Sequence, residues 1–333
     1  MKKRCPLLSI VLLLFIPLFP QERIILKESE GTDIIRLLED HQIFITRIQD
    51  MDVGDKDDLY ILDDRSGNVV RIDLKTGSLV KKISSLGQGP AELMMPSVVR
   101  VRNKKVFVLS EGYNGIKIFS IAGDFLSGFR TEGVPRWMDV DKNENIYVAE
   151  ADQRSNPVIS VYDAQGKKNR TAMTFRLKGE ILEDKAELVK RQFFTFKIDS
   201  EGNIVILFYL LRQLQKASPE GVILWEKKIE NSVLKPFLKN ESTKYNERGQ
   251  PTITYLVNNF DLKEDNIVIG HVGGGCIYNQ EGELIGVLEV QTIEHRENPP
   301  GFTRLKIIGD KLLGIYSDGT AILFPFKLNG NLY

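Results

Sequence analysis

The sequence predicts an all-β fold: a six-bladed β-propeller of four-stranded antiparallel blades, closed by an N-terminal strand that completes the last blade. Three observations lead there. Short apolar runs rich in β-branched and aromatic residues recur along the chain, each closed by Asp, Asn or Gly, as strands are. Their spacing of about 40 to 60 residues is close to that of propeller blades. The last repeat lacks one strand, while spare apolar runs lie near the N-terminus.

The clearest copy is Pro135 to Gly166. A first strand through Trp137 and Val140 is followed by a polar turn, then Ile146-Tyr-Val-Ala, then Val158-Ile-Ser-Val-Tyr, then the turn Asp163-Ala-Gln-Gly166. Second strands are the easiest to align: Leu59-Tyr-Ile-Leu, Val106-Phe-Val-Leu, Ile146-Tyr-Val-Ala, Ile204-Val-Ile-Leu, Ile267-Val-Ile-Gly and Leu312-Leu-Gly-Ile. Turns between third and fourth strands recur as Ser120-Ile-Ala-Gly123, Ser218-Pro-Glu-Gly221 and Asn279-Gln-Glu-Gly282, where the final glycine supplies a left-handed conformation. Asp139-x-Asp141-x-Asn143 lacks the glycine and distal glutamate of a calcium loop and reads as a hairpin turn.

The sixth repeat has strands near Thr303–Ile308, Leu312–Tyr316 and Ala321–Leu328 and no fourth. A three-stranded blade would leave an open edge, which closed β folds avoid. Ile24-Ile-Leu or Ile34-Ile-Arg-Leu-Leu is therefore expected to supply the missing outer strand. Three connections are long: Leu177–Gln192, with helix-forming residues, Asn231–Pro251, and Val290–Gly301.

Lys2-Lys3-Arg4 followed by the apolar run Leu7–Phe19 has the layout of a secretory signal. Residues 1–20 are therefore expected to be a signal peptide and 21–333 the propeller, exported to the periplasm or outside the cell. A retained N-terminal anchor is the alternative. Thirteen apolar residues are short for a bilayer span. The chain has 45 basic and 45 acidic residues, so no basic excess marks a nucleic-acid partner. With Cys5 removed, only Cys276 remains and no intramolecular disulfide can form. A monomer is expected.

At Leu86-Gly87-Gln88-Gly89-Pro90-Ala91-Glu92 the sequence resembles the exported bacterial six-bladed β-propellers related to NHL repeats, whose pattern has a Gly-x-Gly-Pro-x-Glu loop after the first blade. Thr32-Asp-Ile-Ile-Arg, Asp57-Asp-Leu-Tyr-Ile-Leu-Asp-Asp and Glu111-Gly-Tyr-Asn114 also fit. The resemblance spans about Thr32 to Asp163. It implies the fold and export, and no particular activity.

Antiparallel topology places the ends of second and fourth strands on one face. Glu111, Glu150 and Asp318 follow second strands there, the loop of Gln88 and Glu92 follows a fourth strand, and Arg136 and Trp137 open an inner strand on the same side. These seven are the candidate ligand-binding residues, since binding groups concentrate on loops of a rigid scaffold. Arg136 and Trp137 suit stacking or cation–π recognition. The acids suit a Ca²⁺ or other divalent site, or each caps its own turn through backbone N–H groups. No cofactor, catalytic residue or metal ligand is assigned. The expected function is an exported scaffold binding a ligand, peptide, glycan or partner protein through the loop-decorated face around the channel. The alternative is a metal-dependent, lactonase-like hydrolase or lyase with its ion in the channel.

Overall fold

The computed structural model describes residues 22–27, 33–36, 45, 47–54, 58–151, 157–175, 191–240, 243–245, 251–253, 256–264, 266–271, 273–291, 304–315 and 320–326. They form six antiparallel blades in chain order. The inner strands, nearest the central axis, are Ile48–Val53, Pro96–Arg102, Val134–Val140, Phe194–Ile198, Val257–Lys263 and Arg304–Ile308. The candidate signal segment and the helix-forming part of the connection after blade 3 lie outside the described residues. Among those described, no helix is long and apolar enough to cross a membrane.

Second strands are the most legible in the sequence because they are covered on both faces. Every residue of Asp58–Asp63 and Ile204–Phe208 is buried. Neighbouring blades pack there, so the apolar runs are continuous rather than alternating. Outer strands such as Phe125–Arg130 and Ile223–Lys228 are largely exposed.

The core consists of six clusters, each shared by two adjacent blades. One joins Tyr60, Leu62 and Val69 of blade 1 to Val99, Val106 and Val108 of blade 2. Another joins Met51, Leu59 and Ile61 of blade 1 to Leu313, Ile315 and Leu323 of blade 6, so the ring is closed by packing. It is also closed by backbone pairing. Asp33–Arg36 lies antiparallel to Thr320–Pro325 as the outer strand of blade 6, with Asp33 opposite Leu323. The other apolar run has a different place: Glu22–Lys27 pairs in parallel with Leu284–Gln291, adding a fifth strand to blade 5.

Local turn chemistry follows the sequence. Asp163 Oδ1 accepts the backbone N–H groups of Gln165 and Lys167, and Gly166 follows at φ 82°. Gly221, also at φ 82°, has the Ala172 carbonyl oxygen 2.3 Å from where a Cβ would stand, so no larger residue fits without displacing blade 3.

A chain beginning at residue 44, lacking both N-terminal strands, should melt at least about 5 °C lower by calorimetry than one beginning at residue 21. A chain beginning at residue 29, which keeps the blade 6 closure, should lose less. Equal melting temperatures for the two truncations would show that the blade 6 strand closes nothing.

Candidate functional site

Each inner strand has a sheet neighbour on one side only, and its other edge faces the channel. Buried backbone groups there need partners. The chain supplies them with one charged residue per inner strand at a single register. Asp52 stands opposite Tyr60, Arg100 opposite Phe107, Asp139 opposite Tyr147, Lys197 opposite Val205, Asp261 opposite Val268 and Lys306 opposite Leu313. The sign alternates around the axis, acidic on blades 1, 3 and 5 and basic on 2, 4 and 6. All six are buried.

The acids accept N–H groups from the inner strand of the next blade: Asp52 from Val101 at 2.8 Å, Asp139 from Ile198 at 2.8 Å, and Asp261 from Ile307 at 2.9 Å. Asp50 takes Val99 N–H in the same way, at 3.1 Å. The bases bridge these acids. Arg100 spans Asp50 at 2.7 Å and Asp139 at 2.9 Å, and Lys197 meets Asp261 at 3.0 Å. Lys306 lies 2.5 Å from Asp52 and 3.4 Å from Asp261. Other donors reach carbonyls of the next blade: Arg102 Nε to Val140, Trp137 Nε1 to Phe196 and Arg304 Nε to Gln49, at 2.8–3.1 Å.

Burial alone would raise the Asp52 carboxyl, but Lys306, Arg102, Arg100 and Lys197 outweigh it and hold it far below the usual carboxylate range. Asp261 is likewise lowered, burial being overcome by Lys197 and Lys306. Burial also opposes the Lys306 ammonium, yet Asp261 and Asp52 raise it above its ordinary value. Lys197 behaves oppositely: burial pushes it down, Asp261 opposes that, and Lys306 and Arg100 add to it.

Above this ring, where inner strands begin and second strands end, lies a cavity of about 780 Å³. Asp50, Arg100, Lys197 and Lys306 are at its floor. Its wall includes Glu111, Arg136, Trp137, Glu150, Phe193, Phe194, Thr195, Tyr209, Asn259, Phe260 and Arg304. Phe193 and Tyr209 meet edge to face at 6.2 Å, and Phe194 meets Phe175 at 4.8 Å with the rings tilted by 48°. Trp137 is fixed by its bond to Phe196 and by Arg100, whose guanidinium lies 5.1 Å from the ring centroid.

Four of the seven candidate residues from the sequence therefore meet at the cavity: Glu111, Arg136, Trp137 and Glu150. Arg136 and Glu111 form an ion pair at 3.2 Å. Glu150 is buried, and its carboxylate accepts the Tyr162 hydroxyl at 2.9 Å and Gly133 N–H at 3.0 Å, holding blade 3 against the strand entering it. Gln88 and Glu92 lie outside the lining, and Glu92 Oε2 accepts Gly89 N–H at 2.8 Å, fixing its own loop. Asp318 lies outside the described residues.

Reading Asp139 and Asp141 together as one hairpin turn requires correction. Asp141 does hold the turn, accepting N–H from Asn143 and Asn145, but Asp139 belongs to the ring, bound to Arg100 and to Ile198 N–H at the junction with the next blade. Cys276 is fully buried, and burial pushes its thiol up to about 12, so it is an inert core residue. His271, also buried, bonds Asn231 at 3.0 Å and anchors the connection after blade 4. Among the described residues no group of three His, Cys, Asp or Glu could hold a metal ion.

Six blades around a charged channel, with a walled cavity at one mouth, define a six-bladed β-propeller carrying a ligand-sized central pocket. The chain belongs to the 6-bladed beta-propeller family, which it matches over residues 32–210. Similar solved structures include virginiamycin B lyase from Staphylococcus aureus, with TM-score 0.56 and 11% identity over 89% of this chain and 99% of that one. A catalytically inactive variant of that lyase, solved with quinupristin, gives 0.54 and 12% over 89% and 100%. A Bacteroides fragilis protein described as exported gives 0.57 and 13% over 91% and 98%. At these identities the likeness is one of fold. A comparison with curated proteins finds no match.

Arg100→Met should cost about 3–5 kcal/mol in urea unfolding, because it leaves Asp50 buried without its cation and takes the nearer of two from Asp139. A cost under about 1 kcal/mol would remove the ring from the stabilising interactions. The lowered carboxyls of Asp52 and Asp261 set the sign of the acid response. Their contribution is fully present above the unfolded value near about 4 and is lost as pH falls through the depressed folded values. Chemical-denaturation stability should hold down to about pH 4 and decline steeply below it.

Proposed function

We propose that this propeller is an exported binding protein whose channel mouth takes a small organic ligand, of the size of a few sugar or amino-acid units. The observation that carries this reading is the cavity itself. Its volume of about 780 Å³ falls within the range of small-molecule sites, and its wall mixes aromatic surface with a few convergent polar groups. The export half of the reading rests on Lys2-Lys3-Arg4 and the apolar run Leu7–Phe19, which have the layout of a signal sequence.

An organic ligand fits the cavity better than a divalent cation. Asp50 already binds Arg100 and a backbone N–H, Glu111 binds Arg136, and Glu150 binds Tyr162 and Gly133. A metal ion there would have to displace a guanidinium from Asp50 and from Glu111, and hydrogen-bond donors from Glu150. The mouth also has rigid stacking surfaces in Trp137, Phe193 and Tyr209, which suit planar or apolar groups.

The chain has two tryptophans, so Trp225→Phe leaves Trp137 as the sole indole emitter, placed at the cavity. Compounds that raise the melting temperature of this variant should also shift or quench its emission. Saturation at 100 times Kd should add about 2.7 kcal/mol of stability. Stabilising compounds that leave Trp137 silent would move the site away from the mouth. Dialysis against a chelator should leave the melting temperature unchanged; a drop restored by one divalent ion would favour the metal-dependent enzyme instead.

A further inference from the structure

We infer that the cavity floor is an anion subsite, so that the ligand is an organic carboxylate that enters acid first, with its apolar or aromatic body against the blade 3 and 4 wall. This rests on the reading of the cavity as a ligand site and gives that site a polarity.

The ring balances acids against bases, but its two kinds of member face different ways. Asp52, Asp139 and Asp261 each turn a carboxylate oxygen to a backbone N–H of the next blade, and none of them lines the cavity. Arg100, Lys197 and Lys306 do line it, with Asp50 as the one acid beside them at the floor. A ligand looking down the channel therefore meets mainly ammonium and guanidinium groups, with their countercharges set behind them.

Lys197 is one of the three bases on that floor. Its side chain is about nine-tenths buried, yet Asp261, at 3.0 Å, is the acid it pairs with. An ammonium has three N–H donors, so one carboxylate leaves donor capacity toward the cavity. Burial pushes this lysine down and Lys306 and Arg100 crowd it, so a second carboxylate beside it would be favourable. Thr195 lies two residues earlier, on the same face of the strand, and lines the wall directly above. Its hydroxyl and that of Ser97, across the channel, have no hydrogen-bond partner among the described residues. Both are groups a bound carboxylate can engage after a χ1 rotation.

The acids of the wall offer no matching site for a cation, being bonded to Arg136, Tyr162, Gly133 and Arg100. Most of the aromatic rings also stand together: Phe193, Phe194 and Tyr209 on blade 4 next to Trp137 on blade 3, with Phe260 on blade 5 and the smaller apolar groups Met51 and Leu305 elsewhere around the wall. Acid end down and apolar body against these rings is the orientation that uses both features.

Three probes with one body decide the matter: 3-phenylpropionate, 3-phenylpropan-1-ol and 3-phenylpropylamine, titrated against the Trp225→Phe protein by calorimetry and Trp137 emission. The carboxylate should bind at least about tenfold more tightly than the alcohol, as charge-assisted hydrogen bonds require, and the amine more weakly than either. Lys197→Met, which leaves Asp261 paired with Lys306, should bring the carboxylate down to the level of the alcohol, and Lys197→Arg should restore part of the difference. Equal affinities for carboxylate and alcohol, with Trp137 responding to both, would overturn the anion subsite while leaving the cavity as the ligand site. Silence of Trp137 toward all three, alongside a response to larger neutral compounds, would also overturn it. Binding of any probe without a Trp137 response would overturn the cavity reading itself.

Discussion

The open edges of six inner strands, all facing one axis, set the terms for the rest of this molecule. A sheet edge carries unpaired N–H and C=O groups, and here those edges are buried around a channel. The chain answers with side chains that reach across each junction. Carboxylates take N–H groups, as Asp139 does from Ile198, while donors such as Arg102 and Arg304 take C=O groups. Two like charges about 4 Å apart would repel by about 4 kcal/mol at an effective dielectric of 20, so same-sign neighbours around the channel are not tolerable. Alternation of sign from blade to blade removes that conflict and gives most members an opposite charge on either side. Because burying ion pairs adds little net stability, the ring acts mainly as a specification of which strand sits beside which.

The blades were legible in the sequence for a reason that also hid the ring. Second strands such as Val106–Leu109 are covered on both faces and so read as unbroken apolar runs. Closure by Asp33–Arg36 was legible because a six-bladed count left one strand missing. The parallel strand Glu22–Lys27 was not, since nothing in its pattern distinguishes a fifth strand on blade 5 from the missing strand on blade 6. A charged residue within an inner strand looks like the polar half of an ordinary alternating pattern. Asp52, Lys197 and Lys306 gave no local signal; the signal lies in aligning six inner strands on their second-strand partners and noticing that sign alternates.

At the cavity, the legible residues were those where loop chemistry and position coincide. Glu111, Arg136 and Trp137 stand at strand ends on the irregular face, as antiparallel topology requires, and they meet at the mouth. Gln88 and Glu92 drew attention through their Gly-Pro loop, but Glu92 closes on Gly89 and so serves the turn. Glu150 is a mixed case: it lines the cavity, and its carboxylate is already committed to Tyr162 and Gly133. Sequence position identifies the face a residue is on; it does not say whether its polar atoms remain available.

Availability is decided by the backbone. Because inner-strand N–H groups need acceptors, ring carboxylates are drawn sideways into the junctions, and the cations that neutralise them are left toward the open space above. Lys197 and Lys306 are thereby presented at the cavity floor by the same interactions that join blade to blade. Such a floor is rigid, since moving either lysine would take one of two cations from the buried Asp261. The mouth above is built differently, from exposed pairs such as Arg136 with Glu111 that contribute little to stability and can change without disturbing the ring. In this propeller the charge at the floor is therefore fixed by the architecture, while the entrance is built from side chains on which the ring does not depend.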